Sequence, residues 1–465
     1  MQQQLQMQMQ THSTFAVIHC RHFTTQDRNP LVRSISLWAL SRVAEWVMDI
    51  EIKRQSAGAA ADAPDSPWRS LLITVVNRCL DHNKRVQRSA SGAFATILAT
   101  CAYRECGHLV VPFRRPIASM FAAALRTYQA KNVHTAWDAL KCFCEACGRD
   151  ISEQECVAVF MPAVVERWNS VADDDNALFP ILETLGAVVL ALGPNFQLFA
   201  QPVYERCTKI MEDTLVATMA CQYADEEEEP EKDFLVAALD LISAMCDERG
   251  LGGSVGALIG SPTRPPSSAG GKPEPSRFVE MIVACLKDSD FEVRQSGLAV
   301  IGDLAAHGCV AHLAPALGDI LRALLQTMDS TMRDDKDEEG CVEESMVDSC
   351  NNAVWALGEI SLRAEESDLV HLIAEVEPRL VYLITEGAFQ GEVYMQRDQN
   401  TAITLGRIAL RLPGRIGASV LPTIGASWMK ILKAVPDARD KGEAVSSADC
   451  LANARQGPSP LSLVA

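Results

Sequence analysis

The sequence predicts an all-α solenoid built from antiparallel helix pairs, and three observations carry that prediction. First, one helix recurs: DSCNNAVWALGEISLR, from Asp348 to Arg363, aligns with EVRQSGLAVIGDL, from Glu292, placing Gly358 on Gly302, Glu359 on Asp303 and Ile360 on Leu304. The same frame sets Trp38 of LVRSISLWALSRVA in the register of Trp355. In RDQNTAITLGRI, with Gly406 on Gly302, that register falls to Ile403. Second, the steps are 48 residues from Gly358 to Gly406 and 54 from Val32 to Val86, at or a little above the about 40–47 of two-helix solenoid repeats. Third, apolar residues recur with a period of about 3.6 from Pro30 to Val435, and nothing alternates long enough to make a sheet.

Taken in order, the pattern predicts a helix over 31–47 whose partner lies upstream, then pairs at 67–80 with 85–102, 108–128 with 131–147, and 153–169 with 174–192. Further pairs follow at 196–222 with 232–248, 276–287 with 290–307, 310–328 with 346–363, and 366–386 with 395–411, then a last helix at 416–433. Gly148, Gly193 and Gly250 follow apolar runs as stop signals, and Pro162, Pro180, Pro315 and Pro422 punctuate helices. Between the helices, 57–67 is a small loop, and 250–276, with GSPTRPPSSAGGKPEPS, reads as a flexible insertion. The expected organisation is a low-complexity start (1–30), a first repeat block (31–249) with an incomplete first repeat, that insertion, and a second block (277–435). The second block contains an acidic insertion at 329–345, and a tail follows at 436–465. Residues 225–229 form a further acidic loop.

A net charge of −18 with pI near 5.0 argues against general binding of nucleic acid or of an anionic membrane and favours basic partners. The richest apolar run, Leu178 to Leu192, is interrupted by Glu183 and falls short of the about 18–20 residues of a membrane span. The sixteen cysteines lie mostly within apolar helical patterns and read as reduced thiols in a cytosolic or nuclear protein. Cys142, Cys144 and Cys147 lack a second ligand pair at zinc spacing, and no metal or other cofactor is expected. MQQQLQMQMQTHSTF reads as disordered rather than as a transit peptide. There is no P-loop, dinucleotide fingerprint, HExxH or serine elbow, so the chain is not expected to be an enzyme.

The polar residues of the recurring helices point to ligand binding. Asp138 and Glu145 are seven apart, as are Asp240 and Asp247, so each pair lies on one helix face. With Glu183, Asp303 and Glu359 they place an acid on the second helix of successive repeats, the helices that line the concave side of a solenoid. The register shared by Trp38 and Trp355 holds Gly92 and Ala299 elsewhere, whereas a core position keeps a similar volume. Two aromatics beside acids suit an extended peptide with apolar and basic side chains.

The blocks LVRSISLWALSRVAEW, NKRVQRSASGAFAT, ALFPILE, QPVYERC, KDFLVAALDLIS, EVRQSGLAVIGDL, CNNAVWALGEIS and NTAITLGRI, in order from about Leu31 to Val435, resemble the carboxy-terminal half of the transportin family of karyopherin-beta proteins. The resemblance implies a HEAT-repeat α-solenoid and a nuclear import receptor that binds proline-tyrosine localisation signals of cargo proteins and shuttles between cytoplasm and nucleus. Nucleoporins are the further partners it implies, with no nucleic acid and no membrane. By the resemblance, Ile35, Trp38, Ser89 and Thr96 hold the proline-tyrosine end, and Asp138 and Glu145 contact the signal's basic residues. Glu183, Asp240, Asp247, Gln295 and Asp303 form the acidic and polar middle, and Val347, Asn351, Trp355 and Ile403 form the pocket for the upstream epitope.

The chain departs from the family where Ile97, Leu98, Ala99 and Thr100 replace a run of glutamates, one of which pairs with the signal's arginine, leaving Asp138 as the expected partner. The family's Ran-binding half has no counterpart in these residues, so the chain reads as a fragment or an incomplete gene model. The competing reading is a HEAT-repeat scaffold subunit of another complex, in which Trp38 and Trp355 touch a folded partner.

Overall fold

Three segments, 27–33, 81–87 and 288–294, begin helices in the same way. Asp27, Asp81 and Asp288 each accept a hydrogen bond from the backbone N–H two residues on, at 2.7, 2.9 and 2.9 Å. The residue at that position, Asn29, Asn83 or Asp290, accepts in turn from the N–H two further along, at 2.9, 3.0 and 2.8 Å. Two of the donors a helix start leaves unsatisfied are thereby paired. Arg33, Gln87 and Arg294 then reach back to the carbonyl of the same aspartate. Two of the aspartates also bind a cation from earlier in the chain: Arg33 meets Asp81 at 2.9 Å and Lys232 meets Asp288 at 2.8 Å, all four side chains buried. One short motif thus starts a helix and ties it to its neighbour.

The computed structural model describes residues 27–60, 62–224, 230–265, 274–332, 344–385, 392–412 and 421–434. In chain order the helices are α1 (Pro30–Ser56), α2 (Pro67–Cys79), α3 (Lys84–Tyr103), α4 (Arg114–Thr127), α5 (Ala130–Cys147), α6 (Gln154–Ser170) and α7 (Phe179–Leu192). There follow α8 (Gln197–Ala224), α9 (Asp233–Cys246), the single turn α10 (Gly256–Ile259), α11 (Arg277–Cys285), α12 (Phe291–Ala306) and the single turn α13 (Val310–Leu313). The last are α14 (Leu317–Met332), α15 (Glu344–Arg363), α16 (Glu366–Thr385), α17 (Glu392–Arg411) and α18 (Leu421–Ala434). The fold is the all-α solenoid expected. Among the described residues the strands are Thr263–Arg264 and Glu274–Pro275, an antiparallel pair inside the stretch expected as a flexible insertion.

The chain forms two compact units, Met1–Phe199 and Ala200–Ala465. In the first, α1, α3, α5 and α7 pack side by side as one layer and α2, α4 and α6 form the other. In the second, α9, α12, α15 and α17 make one layer, backed by α11, α14, α16 and α18. Large side chains fill the space between layers: Trp68, Trp137, Phe94, Phe121 and Phe143 in the first unit, Trp428 in the second. Trp68 and Trp428 each give their buried indole N–H to a backbone carbonyl, of Leu109 and Ala402, at 2.8 Å. Neither indole donor is left unmet.

Several elements differ from expectation for identifiable reasons. Helix α1 continues to Ser56 because Met48 and Glu51 are buried, the Glu51 carboxylate accepting from Ser66. The single helix expected over 310–328 is broken at Pro315 into α13, a 3₁₀ turn and α14. The apolar stretch is longer than the run to Leu192: within 176–221 a window of mean hydropathy 1.8 is long and apolar enough to cross a membrane by composition. The fold breaks that stretch at Gly193, with φ of 54°, and buries 61% of the window. The expectations for 1–26, 225–229, 333–343 and 435–465 lie outside the described residues.

Candidate peptide-binding surfaces

In the first unit the layer α1, α3, α5, α7 has one free side, because the other helices cover its back. Residues a turn apart come to that side: Leu31, Ile35, Trp38 and Arg42 on α1; Arg85, Arg88, Gly92, Thr96 and Ala99 on α3; Lys131, His134, Asp138 and Glu145 on α5; Glu183 on α7. Leu31, Ile35 and Trp38 are 52, 60 and 54% exposed, an apolar patch of a kind that soluble surfaces rarely leave unused. With Val32, Ser34 and Ser89 they line one depression, so Trp38 is not a core residue. Thr96 is exposed on the same side and gives its hydroxyl to the Gly92 carbonyl at 3.0 Å.

Asp138 and Glu145 are exposed on one face of α5 with Cys142 between them. Burial first, then the charges of Glu145 and Asp138, push the Cys142 thiol up to about 11, so it stays protonated and unreactive near neutrality. Glu183 faces Lys141 across the layer at 3.5 Å, a solvated pair of small energetic weight. At the positions where the chain departs from the family's glutamates, Ile97 and Leu98 are fully buried and Ala99 is exposed; none offers a charge. Among the described residues no group of His, Cys, Asp and Glu is placed to hold a metal ion.

In the second unit a depression is lined by Asp240 of α9, Glu292 and Gln295 of α12, and Glu344, Asp348 and Asn352 of α15. Asp240 accepts from Ser296 at 2.6 Å, which fixes it against α12. Glu292 and Asp348 were not singled out from sequence, although Asp348 lies two turns before Trp355 and so on its face, a spacing that identifies it. Further along, Asp303 accepts from Ser243, and Asp247 forms a bidentate pair with Arg249 at 3.2 and 3.0 Å. Burial drives the Asp303 carboxyl up to about 7, and the neighbouring charges of Asp247 and Glu359 push the same way. Burial also acts to raise Asp247, but hydrogen bonds from the Arg249 side chain and N–H outweigh it and hold that carboxyl low.

Trp355 is half-buried, its ring lying over Gly302 of α12. Asn351 accepts from Asn400 at 2.8 Å. Val347 and Ile403 are 1 and 4% exposed, placed in the core beneath this surface. Glu359, expected on the groove, is buried and bound to Arg407 at 2.7 Å and to Arg363, so it joins helices rather than facing a ligand.

No protein-family model matches the chain. Over 419 residues, 90% of the chain, it is 31% identical to transportin-1 of Homo sapiens, and over 418 residues 29% identical to transportin-1 of Oryza sativa subsp. japonica. It is 27% identical over 418 residues to importin subunit beta-2 of Schizosaccharomyces pombe. The alignments cover 41, 42 and 41% of those proteins, so the chain spans about two fifths of the length of the curated relatives it matches. Among solved structures, importin beta superposes with a TM-score of 0.57 over 94% of this chain and 49% of its own, at 12% identity, a likeness of fold.

Proposed function

Because this chain belongs to the transportin/karyopherin-beta family, over a portion of its relatives' length, we propose that it acts in nuclear import by binding proline-tyrosine localisation signals of cargo proteins. The observation that carries this reading is Trp38. A tryptophan 54% exposed, flanked by exposed Leu31 and Ile35 and lining a depression with Ser89, is costly to leave in water and useful only against a partner. Its position is the one where the family resemblance places the proline-tyrosine end of the signal. The second unit adds Trp355 and a depression rich in carboxylates, suited to the apolar and basic residues that precede that end. Each unit would take one epitope. The reading is one of binding, in which the surfaces offer shape and charge to an extended peptide.

The test is binding of a fluorescent basic peptide ending in Pro-Tyr, followed by anisotropy, with the parent chain, Trp38→Ala and Trp355→Ala. Loss of about 2 kcal/mol or more for each folded variant is expected of buried anchors. Parent-like binding by both variants would remove the import-receptor reading and leave that of a scaffold.

A further inference from the structure

The chain's negative charge is unevenly placed. Residues 1–199 hold 19 Lys and Arg against 18 Asp and Glu, whereas residues 200–465 hold 23 against 42. The first unit is therefore close to neutral, and the acidity that favours basic ligands belongs to the second.

Around Trp38 the local balance is positive. Arg42, one turn along α1, lies over the Trp38 ring with its guanidinium carbon 5.4 Å from the centroid. Arg85 stands one turn before Ser89 on α3, and Arg88 beside it. Both are exposed, and with α3 covered behind and on both flanks they share the side that carries Ser89 and Gly92. None of the three arginines has a carboxylate partner among the described residues, and residues 1–26 contain no Asp or Glu to supply one. The nearest acid along α1, Glu45, already faces Arg104 at 3.6 Å. Unpaired guanidinium groups beside an apolar surface present forked donors matched to carboxylates.

We propose that the patch of Leu31, Ile35 and Trp38, framed by Arg42, Arg85 and Arg88, binds an extended peptide segment whose apolar side chains are flanked by Asp or Glu, selecting acidic over basic flanks at that end of the signal. This rests on the import-signal reading for the site's place in function. The flanking carboxylates pair with the three guanidinium groups while the apolar side chains cover the indole and Ile35. A basic flank at this end meets like charge instead, which explains how the site works without the glutamates replaced by Ile97 and Leu98.

The experiment uses the full chain and three synthetic peptides with one basic upstream epitope and one Pro-Tyr end, flanked at that end by Asp and Glu, by Gln, or by Lys and Arg. The acidic-flank peptide is expected to bind about tenfold more tightly than the basic-flank one. Arg42→Glu, Arg85→Glu and Arg88→Glu together should invert the order, with thermal melts confirming the fold. Equal or tighter binding of the basic-flank peptide by the parent overturns the proposal, as does an order that the three reversals leave unchanged. Measurable binding only when the tyrosine is phosphorylated overturns it too. If Trp38→Ala weakens every peptide while the flanks make no difference, this proposal fails and the import-signal reading stands. If Trp38→Ala changes nothing, both fail at this site.

Discussion

The indole of Trp355 lies so close over Gly302 that a Cβ on residue 302 would sit 2.0 Å from Cζ3 and 2.4 Å from Cε3 of the ring. The glycine that marks the repeated helix is thus the seat of the aromatic residue on the next one. Gly358 opens the same kind of space in the following repeat, where a Cβ would meet Thr404 Oγ1 at 2.5 Å.

Gly302→Ala should therefore push the ring off its seat. The expected cost is about 1–3 kcal/mol of stability, as for other overpacked sites, with weaker binding of the upstream epitope. Chemical denaturation and peptide anisotropy on the same variant check both. Unchanged stability would mean the ring moves aside freely and is not held by α12.

The tryptophans should separate by burial. Trp38→Ala, at a residue 54% exposed, should alter stability by no more than about 0.5 kcal/mol. Trp68→Ala, at a residue with no exposed surface and a buried hydrogen bond to Leu109, should cost about 3–5 kcal/mol. Trp355→Ala should fall between. Urea unfolding of the three variants orders them, and a strong loss for Trp38→Ala would return that residue to the core.

Asp303 gives a pH dependence with a definite sign. Its carboxyl ionises near 3.8 when unfolded and near 7 in the fold, so between about pH 4 and 7 the folded chain keeps a proton that the unfolded chain has lost. Its contribution to stability is full below pH 4, falls as pH rises through 7, and is flat above. Asp303→Asn should remove that slope, gaining on the order of 2 kcal/mol relative to the parent at pH 5 and about 4 kcal/mol at pH 8. A basic peptide that displaces the proton should also bind the parent more tightly at pH 8 than at pH 6, with the Asn variant flat. Melting curves and titrations at the two pH values read both effects.

Glu359→Ala should damage the fold rather than the ligand site. It removes the carboxylate that Arg407, whose side chain is 9% exposed, shares with Arg363, and removing one partner of a buried pair costs about 3–5 kcal/mol. Peptide affinity of the fraction that remains folded should match the parent, measured by anisotropy below the melting transition. A stable variant with lost binding would move Glu359 back to the groove.

Salt gives a further separation. Binding of a basic peptide to the acids around Asp240 should weaken clearly as the screening length falls from about 10 to 3 Å. Asp240→Asn should flatten that dependence. Binding indifferent to salt would remove charge from the account of the second unit.

Much of this was legible in the sequence because it is local and periodic. The 3.6-residue pattern marks the helices, Gly302 and Gly358 mark the repeat, and two-turn spacing places Asp138 with Glu145 on one exposed face. Trp38 could be matched to Trp355 by register, yet register could not say that one would be 54% exposed and the other half-covered. That difference depends on which neighbour each ring meets. Trp355 finds Gly302 on the helix before it and sinks onto it, whereas Trp38 projects beside Ser89 into open space. The same holds for charge. Sequence alone determined that the chain is acidic, helical and repetitive, since composition and period need no partner to be read. Only the tertiary structure decided that Glu359 is tied up by Arg407, that Val347 and Ile403 are covered, and that Arg42, Arg85 and Arg88 share one free side. Burial and ion pairing are set by residues about 50 positions away, brought close when helices of successive repeats pack.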